Sequence, residues 1–267
     1  MSRIDGKAIA AGIRNSLTVA GSPRLSIVLP TKDEGAQWYV RSLVRTAGKL
    51  GIEATVVETG ADDLAGTLRQ LAADPSVDAL MCQTPLPAGV PDDIGSLIPV
   101  AKDVDGANPE SLGRLAAGLP AFAPATAAAV LEILHAQRVP LSGAEVVIVG
   151  RSTVVGKPAA LLLIAEHATV TVTHTRTRDL AAHTRKADVL IVAAGRAGLI
   201  GAEHISPGTV VIDVGTNPTE DGGLIGDVDT AAVEPIAAQI TPVPGGVGPV
   251  TTAVLMRNVL SARGQRD

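Results

Sequence analysis

Glu145 to Pro158, EVVIVGRSTVVGKP, constrains this chain more than any other stretch, because it reads as a buried strand, a loop bounded by two glycines and the start of a helix. Val146 to Val149 form a continuous β-branched run, as in a central parallel strand covered on both faces. Gly150 ends that strand. Gly156 allows close approach of the backbone above a helix that starts near Lys157 and Pro158, and the free N–H groups of such a first turn favour an anion. The loop is no Walker A motif, since GxxxxxGKP is one residue too long and Pro158 stands where a metal-binding Ser or Thr belongs. It also lacks the middle glycine of GxGxxG.

The neighbouring strand strengthens a dinucleotide reading. Ala168 to Val172 leads into His174-Thr175-Arg176-Thr177, where an NAD site usually carries an acidic residue against the ribose 2′-hydroxyl. No carboxylate is present there. Arg151, Thr175 and Arg176 suit a 2′-phosphate better, which points to NADP; the plainer alternative is a set of solvated loop arginines.

The remaining chain alternates strand and helix. Helical apolar spacing at Ala8, Ile9, Ile13 and Leu17 is followed by a strand at 24–29, a helix at 37–50 closed by Gly51, a strand at 52–57, a helix at 62–73 and a strand at 77–81, together a βαβαβ unit. The small-residue stretch 116–125 reads as a hinge, with Thr126 capping a helix that runs to His135. Strands at 146–149, 168–172, 187–193 and 209–213 then alternate with helices at 157–166 and 178–184, and a last helix spans 250–263. The fold class is therefore α/β in two domains.

Composition excludes several function classes. A formal charge of −5 without basic runs argues against nucleic acid as a partner, and no apolar run approaches the roughly 18 residues of a membrane span. The five histidines have no metal-ligand spacing, and the lone Cys82, read as a strand residue, fits a reducing, cytoplasmic setting without secretion. Of three aromatic residues, Trp38 and Tyr39 are adjacent, which suggests a stacking surface for a flat ligand or else simple helix packing.

The segments QTPLP (83–87), KDVDG (102–106), VVIVGRSTVVGKP (146–158), ADVLIVAAGR (187–196), VVIDVGTN (210–217), GDVD (226–229) and TPVPGGVGPVT (241–251) together resemble the methylenetetrahydrofolate dehydrogenase/cyclohydrolases over nearly the whole chain. The resemblance implies a folate-binding catalytic domain, residues 1–123 plus 250–267, and a Rossmann-like NADP-binding domain, residues 124–249. Hydride would cross between a tetrahydrofolate derivative and NADP, in a homodimer paired through the nucleotide domain. It further implies that Tyr39 lies against the p-aminobenzoyl ring, that Gln83 and Asp105 hold the reacting and pterin ends, and that Pro244, Gly245 and Gly246 line the folate pocket. Gly150, Arg151, Ser152, Thr175, Arg176 and Thr216 would meet NADP. Simpler roles exist for two of these: Asp105 would cap its own DVDG turn and Gln83 would satisfy a strand end.

Departures from the family concentrate on the folate side. Where the family places a catalytic lysine four residues after the tyrosine, this chain has Leu43, on the same helix face as Tyr39. Leucine moves no proton. Arg41 and Arg45 lie about 200° round the helix from it, and Lys32 precedes the helix. The loop PTKDEGAQ and the segment PATAAA (124–129) also differ from the family pattern. These losses expect oxidation of methylenetetrahydrofolate with weak or absent cyclohydrolase activity, and leave open a repurposed or non-catalytic relative.

Overall fold

The structure is a computed structural model, and it describes residues 2–264. The described residues divide into two compact units, one of residues 14–125 and 252–264, the other of residues 2–13 and 126–251. Among the described residues no helix is long and apolar enough to cross a membrane.

The first of these units is a βαβαβ fold. Strands β2 (Arg24–Leu29), β3 (Glu53–Glu58) and β4 (Ala79–Cys82) form a parallel sheet in the order β3-β2-β4. Helices α2 (Glu34–Lys49) and α3 (Ala61–Ala73) make the crossovers, α4 (Pro109–Ala116) follows, and α9 (Val247–Gly264) returns to this unit from residue 252. Helix α2 starts three residues before the sequence reading because the Asp33 carboxylate accepts a hydrogen bond from Ala36 N at 2.7 Å. Its buried residues Ala36, Val40, Leu43 and Ala47 follow the 3.6-residue period, and Gly51 lies beyond its C-terminus at φ +72°, as expected. Cys82 is the last residue of β4 and is buried.

The other unit is built on a six-stranded parallel sheet in the order β1-β11-β8-β7-β5-β6, with β1 (Ser2–Arg3) and β11 (Gln239–Ile240) at one side. Its core strands are β5 (Glu145–Val149), β6 (Thr169–Thr173), β7 (Val189–Val192) and β8 (Val210–Asp213). Val146–Val149, Val189–Val192 and Val210–Asp213 are buried throughout, which is what doubly covered parallel strands require. Helices α5 (Ala125–Ala136), α6 (Gly156–Ala165), α7 (Leu180–Thr184) and α8 (Thr230–Val233) belong here, with a small antiparallel ribbon of β9 (Asn217–Pro218) and β10 (Leu224–Ile225).

One domain assignment differs from the sequence reading. Residues 2–13 pack with the six-stranded sheet, because β1 (Ser2–Arg3) pairs in parallel with β11 (Gln239–Ile240) and Ile4 N bonds Ile240 O. Helix α1 (Gly6–Asn15) therefore begins in that unit, and the Arg3–Glu234 ion pair reinforces the attachment. Two-residue strands leave no periodic signal in a sequence, so this pairing was not legible there.

Candidate active site

Both sheets reverse strand order at one point, where open α/β sheets bind ligands beyond the carboxyl ends of their strands. In the three-stranded sheet that point lies between β2 and β4; in the six-stranded sheet it lies between β5 and β7. The sequence-expected residues fall at these two edges.

At the first edge Gln83 directly follows β4, with its N–H bonded to Val28 O and its side-chain Nε2 donating to Thr84 O. The KDVDG loop is fastened from four sides. Asp103 pairs with Leu80 beside β4, and its carboxylate accepts from Ala107 N, Asn108 N and Ser111 Oγ. Buried Lys102 donates through Nζ to the carbonyls of Ala72 and Asp74 at the C-terminal end of α3. Asn258 of α9 donates to Val104 O. Gly106 sits at φ +64°, and a Cβ there would lie 2.4 Å from Pro124 N, so the chain can turn back here only as glycine.

This scaffold settles which aspartate of DVDG does the local capping. Asp103 binds its own turn; Asp105 instead accepts from the distant Ala125 N and faces Tyr39. Helix α5 consequently starts at Ala125 with the Asp105 carboxylate at its first N–H, and Thr126, the expected cap, lies inside the helix. Asp105 keeps some exposed surface while its carboxyl group is enclosed; that burial, with Asp103 nearby, pushes the carboxyl up to about 7. The Tyr39 hydroxyl is hydrogen-bonded to Thr252 of α9, and burial followed by the Asp105 charge holds its pKa well above the usual phenol range. Tyr39 and Asp105 are thus brought together. Leu43, one turn further along α2, has no exposed surface and packs with the core face of the helix.

At the second edge, Gly150, Arg151 and Ser152 follow β5, Thr175 and Arg176 follow the adjacent β6, and Thr216 follows β8. Gly150 has φ +126°, and a Cβ on it would lie 2.1 Å from Ala193 O. A Cβ on Gly156 would lie 2.2 Å from Gly150 O, so the close neighbour that the second glycine admits is the loop's own backbone. Ser152 Oγ accepts from Val155 N, and this turn leads into α6. Arg151, Thr175 and Arg176 are exposed, neither arginine enters an ion pair among the described residues, and His174 to Arg178 contains no carboxylate. This donor set fits a dinucleotide bearing a 2′-phosphate. Pro244, Gly245 and Gly246 lie in this same unit, with the carbonyls of Gly245 and Gly246 close against Gly6 at the start of α1.

Two buried carboxylates organise this edge, and sequence reading assigned neither a role. Asp227 accepts from Ala194 N, Gly195 N and Arg196 N and from Asn217 Nδ2, at 2.6 to 2.9 Å, which fixes the loop beyond β7. Asp213 accepts from Gly215 N, Asp227 N and Val228 N at 3.0 Å, and burial pushes it up to about 6. The signal was present in VVIDVGTN and GDVD, where a carboxylate ends or follows an apolar strand next to glycine. Asp227→Ala leaves four donors unsatisfied, and is expected to cost about 3 kcal/mol in urea unfolding.

Comparisons agree with this division of labour. Residues 4–105 match the family profile described as tetrahydrofolate dehydrogenase/cyclohydrolase, catalytic domain, and residues 124–267 match that family's NAD(P)-binding domain. The bifunctional protein FolD of Parafrankia sp. (strain EAN1pec) is 57% identical over 275 residues, covering 99% of this chain and 100% of the relative. The crystal structure of the bifunctional enzyme FolD, methylenetetrahydrofolate dehydrogenase/cyclohydrolase, from Campylobacter jejuni matches with a TM-score of 0.95 at 36% identity, covering 100% of both chains. That of the Trypanosoma brucei N5,N10-methylenetetrahydrofolate dehydrogenase-cyclohydrolase, complexed with NADP cofactor and inhibitor, matches with 0.93 at 37% identity, covering 99% of this chain and 98% of the other. With its two sheet edges built as described and both of its parts matched by profile, the chain belongs to the tetrahydrofolate dehydrogenase/cyclohydrolase family.

Proposed function

We propose that the protein oxidises 5,10-methylenetetrahydrofolate to 5,10-methenyltetrahydrofolate in the cytoplasm, with NADP as acceptor, and that its hydrolysis of the methenyl product is weak. The observation that carries this reading is the Tyr39–Asp105 pair, a buried phenol within electrostatic reach of a carboxylate that is relieved of capping its own turn because Asp103 does so. Asp105 would accept hydrogen bonds from the N–H edge of the pterin, Tyr39 would lie against the p-aminobenzoyl ring, and Gln83 would hold the reacting end. NADP would supply the hydride acceptor: the methylene carbon would give up one hydride, which carries both electrons of the oxidation, leaving the methenyl cation and NADPH. Gly150, Ser152 and Thr216 would hold the dinucleotide, with Arg151, Thr175 and Arg176 at its 2′-phosphate.

The relatives' names carry both activities. For this chain we assign oxidation and expect little hydrolysis, because the residue one helical turn after Tyr39 is Leu43, which carries no proton-transfer group. Exposed Val154 (50%), Ile164 (56%) and Val172 (39%), on α6 and the edge strand β6 or the loop between β5 and α6, support a homodimer formed through the nucleotide-binding unit.

Assay of NADPH formation from methylenetetrahydrofolate by purified protein tests the reading directly; binding of folate and NADP without turnover would favour a non-catalytic paralogue instead. NADP is expected to bind more tightly than NAD, and Arg151→Ala to narrow the ratio about tenfold, the size of one charge-assisted phosphate contact. An NADP/NAD affinity ratio unmoved in calorimetry would remove Arg151 from the site.

A further inference from the structure

Arg196 lies in the loop beyond β7, at the strand-order reversal between β5 and β7, and it is an exposed cation that enters no ion pair among the described residues. Its backbone is held firmly. The N–H groups of Ala194, Gly195 and Arg196 donate to the buried Asp227 carboxylate at 2.6 to 2.8 Å, and Arg196 O accepts from Leu199 N in the turn that follows. Successive N–H groups of this kind commonly cradle an anion, but here a carboxylate of the chain already fills the cradle. What residues 194–196 can offer a phosphate is therefore the Arg196 side chain. The loop beyond β5 is in contact with this one, since Ala193 N donates to Val149 O and a Cβ on Gly150 would lie 2.1 Å from Ala193 O. The helix start on that side is short of donors. No side chain caps α6 at Val155, Lys157 N is taken by Ser152 O at 3.0 Å, and Pro158 has no N–H, so an anion there meets fewer N–H groups than a helix N-terminus usually presents.

We propose that Arg196 binds the pyrophosphate of the dinucleotide, an inference that rests on the NADP reading of this edge. In the strand order β7-β5-β6, Thr175 and Arg176 follow β6 on one side of β5, and Arg196 follows β7 on the other. Two strand spacings, about 10 Å, separate those positions. A dinucleotide with its adenosine ribose beyond β6 crosses the end of β5 to reach the β7 side, and the group that joins its two halves is the pyrophosphate. Arg196 thus meets the charged linker and not the 2′-phosphate. Its guanidinium can bond two phosphate oxygens at once, and Asp227 has set its backbone in advance, so little loop ordering opposes the contact. This contact is common to NAD and NADP. Arg151 and Arg176 would then choose between the two dinucleotides, while Arg196 adds affinity for either.

Calorimetry on the purified chain tests this without turnover. Arg196→Gln keeps the backbone N–H that Asp227 accepts, so its melting temperature should match that of the wild type, while NADP and NAD should both bind about tenfold more weakly with their affinity ratio unmoved. Arg196→Lys should recover part of the loss. The probe 2′-AMP, which carries the 2′-phosphate and no pyrophosphate, should bind the wild type and Arg196→Gln equally. NADP affinity unchanged in Arg196→Gln overturns the proposal and leaves the NADP reading standing. A tenfold loss for 2′-AMP overturns it as well, by moving Arg196 to the 2′-phosphate. Wild-type protein that binds neither 2′-AMP nor NADP removes the dinucleotide reading itself, and the proposal with it.

Discussion

Wild-type protein is expected to hydrolyse methenyltetrahydrofolate barely faster than the spontaneous reaction while it still forms NADPH from methylenetetrahydrofolate. Oxidation needs the methylene carbon and the nicotinamide held at near-attack distance, and involves no proton. Hydrolysis adds water to the methenyl carbon, opens the ring and releases a proton, so it needs a group that polarises or moves one. Leu43 cannot, and it is fully buried against the core face of α2. Loss of a positioned acid–base group lowers a rate by about 10²–10⁴-fold. Leu43→Lys should recover most of that factor, since the amine would rise from a buried stem toward the Tyr39 and Asp105 side of the helix. The same substitution should lower stability, because a lysine replaces a packed leucine at a site without exposed surface. Hydrolysis by the unmutated chain at a rate comparable with oxidation would defeat the argument and direct attention to Lys32, exposed in the loop before α2.

Asp105→Asn should lose activity and gain stability together. An amide keeps one acceptor for Ala125 N but offers the pterin edge a neutral, half-matched partner, so kcat/KM is expected to fall by about 10²-fold or more. The folded-state pKa of Asp105, about 7, lies above the ordinary carboxylate value, so folding disfavours the ionised form. Wild-type stability therefore drops as pH rises from about 4 to 7 on account of this group, and the drop is complete above 7. The variant does not titrate there. Its melting temperature should exceed that of the wild type by a margin that widens across this window and then stays constant, with a ceiling of about 4 kcal/mol set by linkage. A margin independent of pH would mean that Asp105 is not the titrating group. Folate affinity of the wild type should instead rise as the pH passes through about 7, where the carboxylate forms in the folded protein.

How far the chain was legible from its residues follows from the range of each interaction. The βαβαβ unit, the strands 24–29 and 146–149 and the helix end at Gly51 were read to within a few residues, because burial period and turn chemistry act between near neighbours. The absence of a carboxylate after β6 was equally plain. The motif GDVD was visible as a motif but mute as to role, since Asp227 acts on Ala194 to Arg196, about thirty positions away in sequence.

Tertiary structure alone decided matters in which two distant segments compete for one group. In KDVDG both aspartates had equal claim to the turn; the fold gave the turn to Asp103 and set Asp105 between Ala125 and Tyr39. It started α5 one residue before the expected cap, because a carboxylate from twenty residues earlier satisfies its first N–H. It joined residues 2–13 to the six-stranded sheet through a two-residue pairing with Gln239–Ile240. Composition and period determine which segments are strand or helix and which faces are apolar; they carry no record of which far-off donor will reach a given oxygen, and in this protein those long-range hydrogen bonds shape the carboxyl-end edges of both sheets.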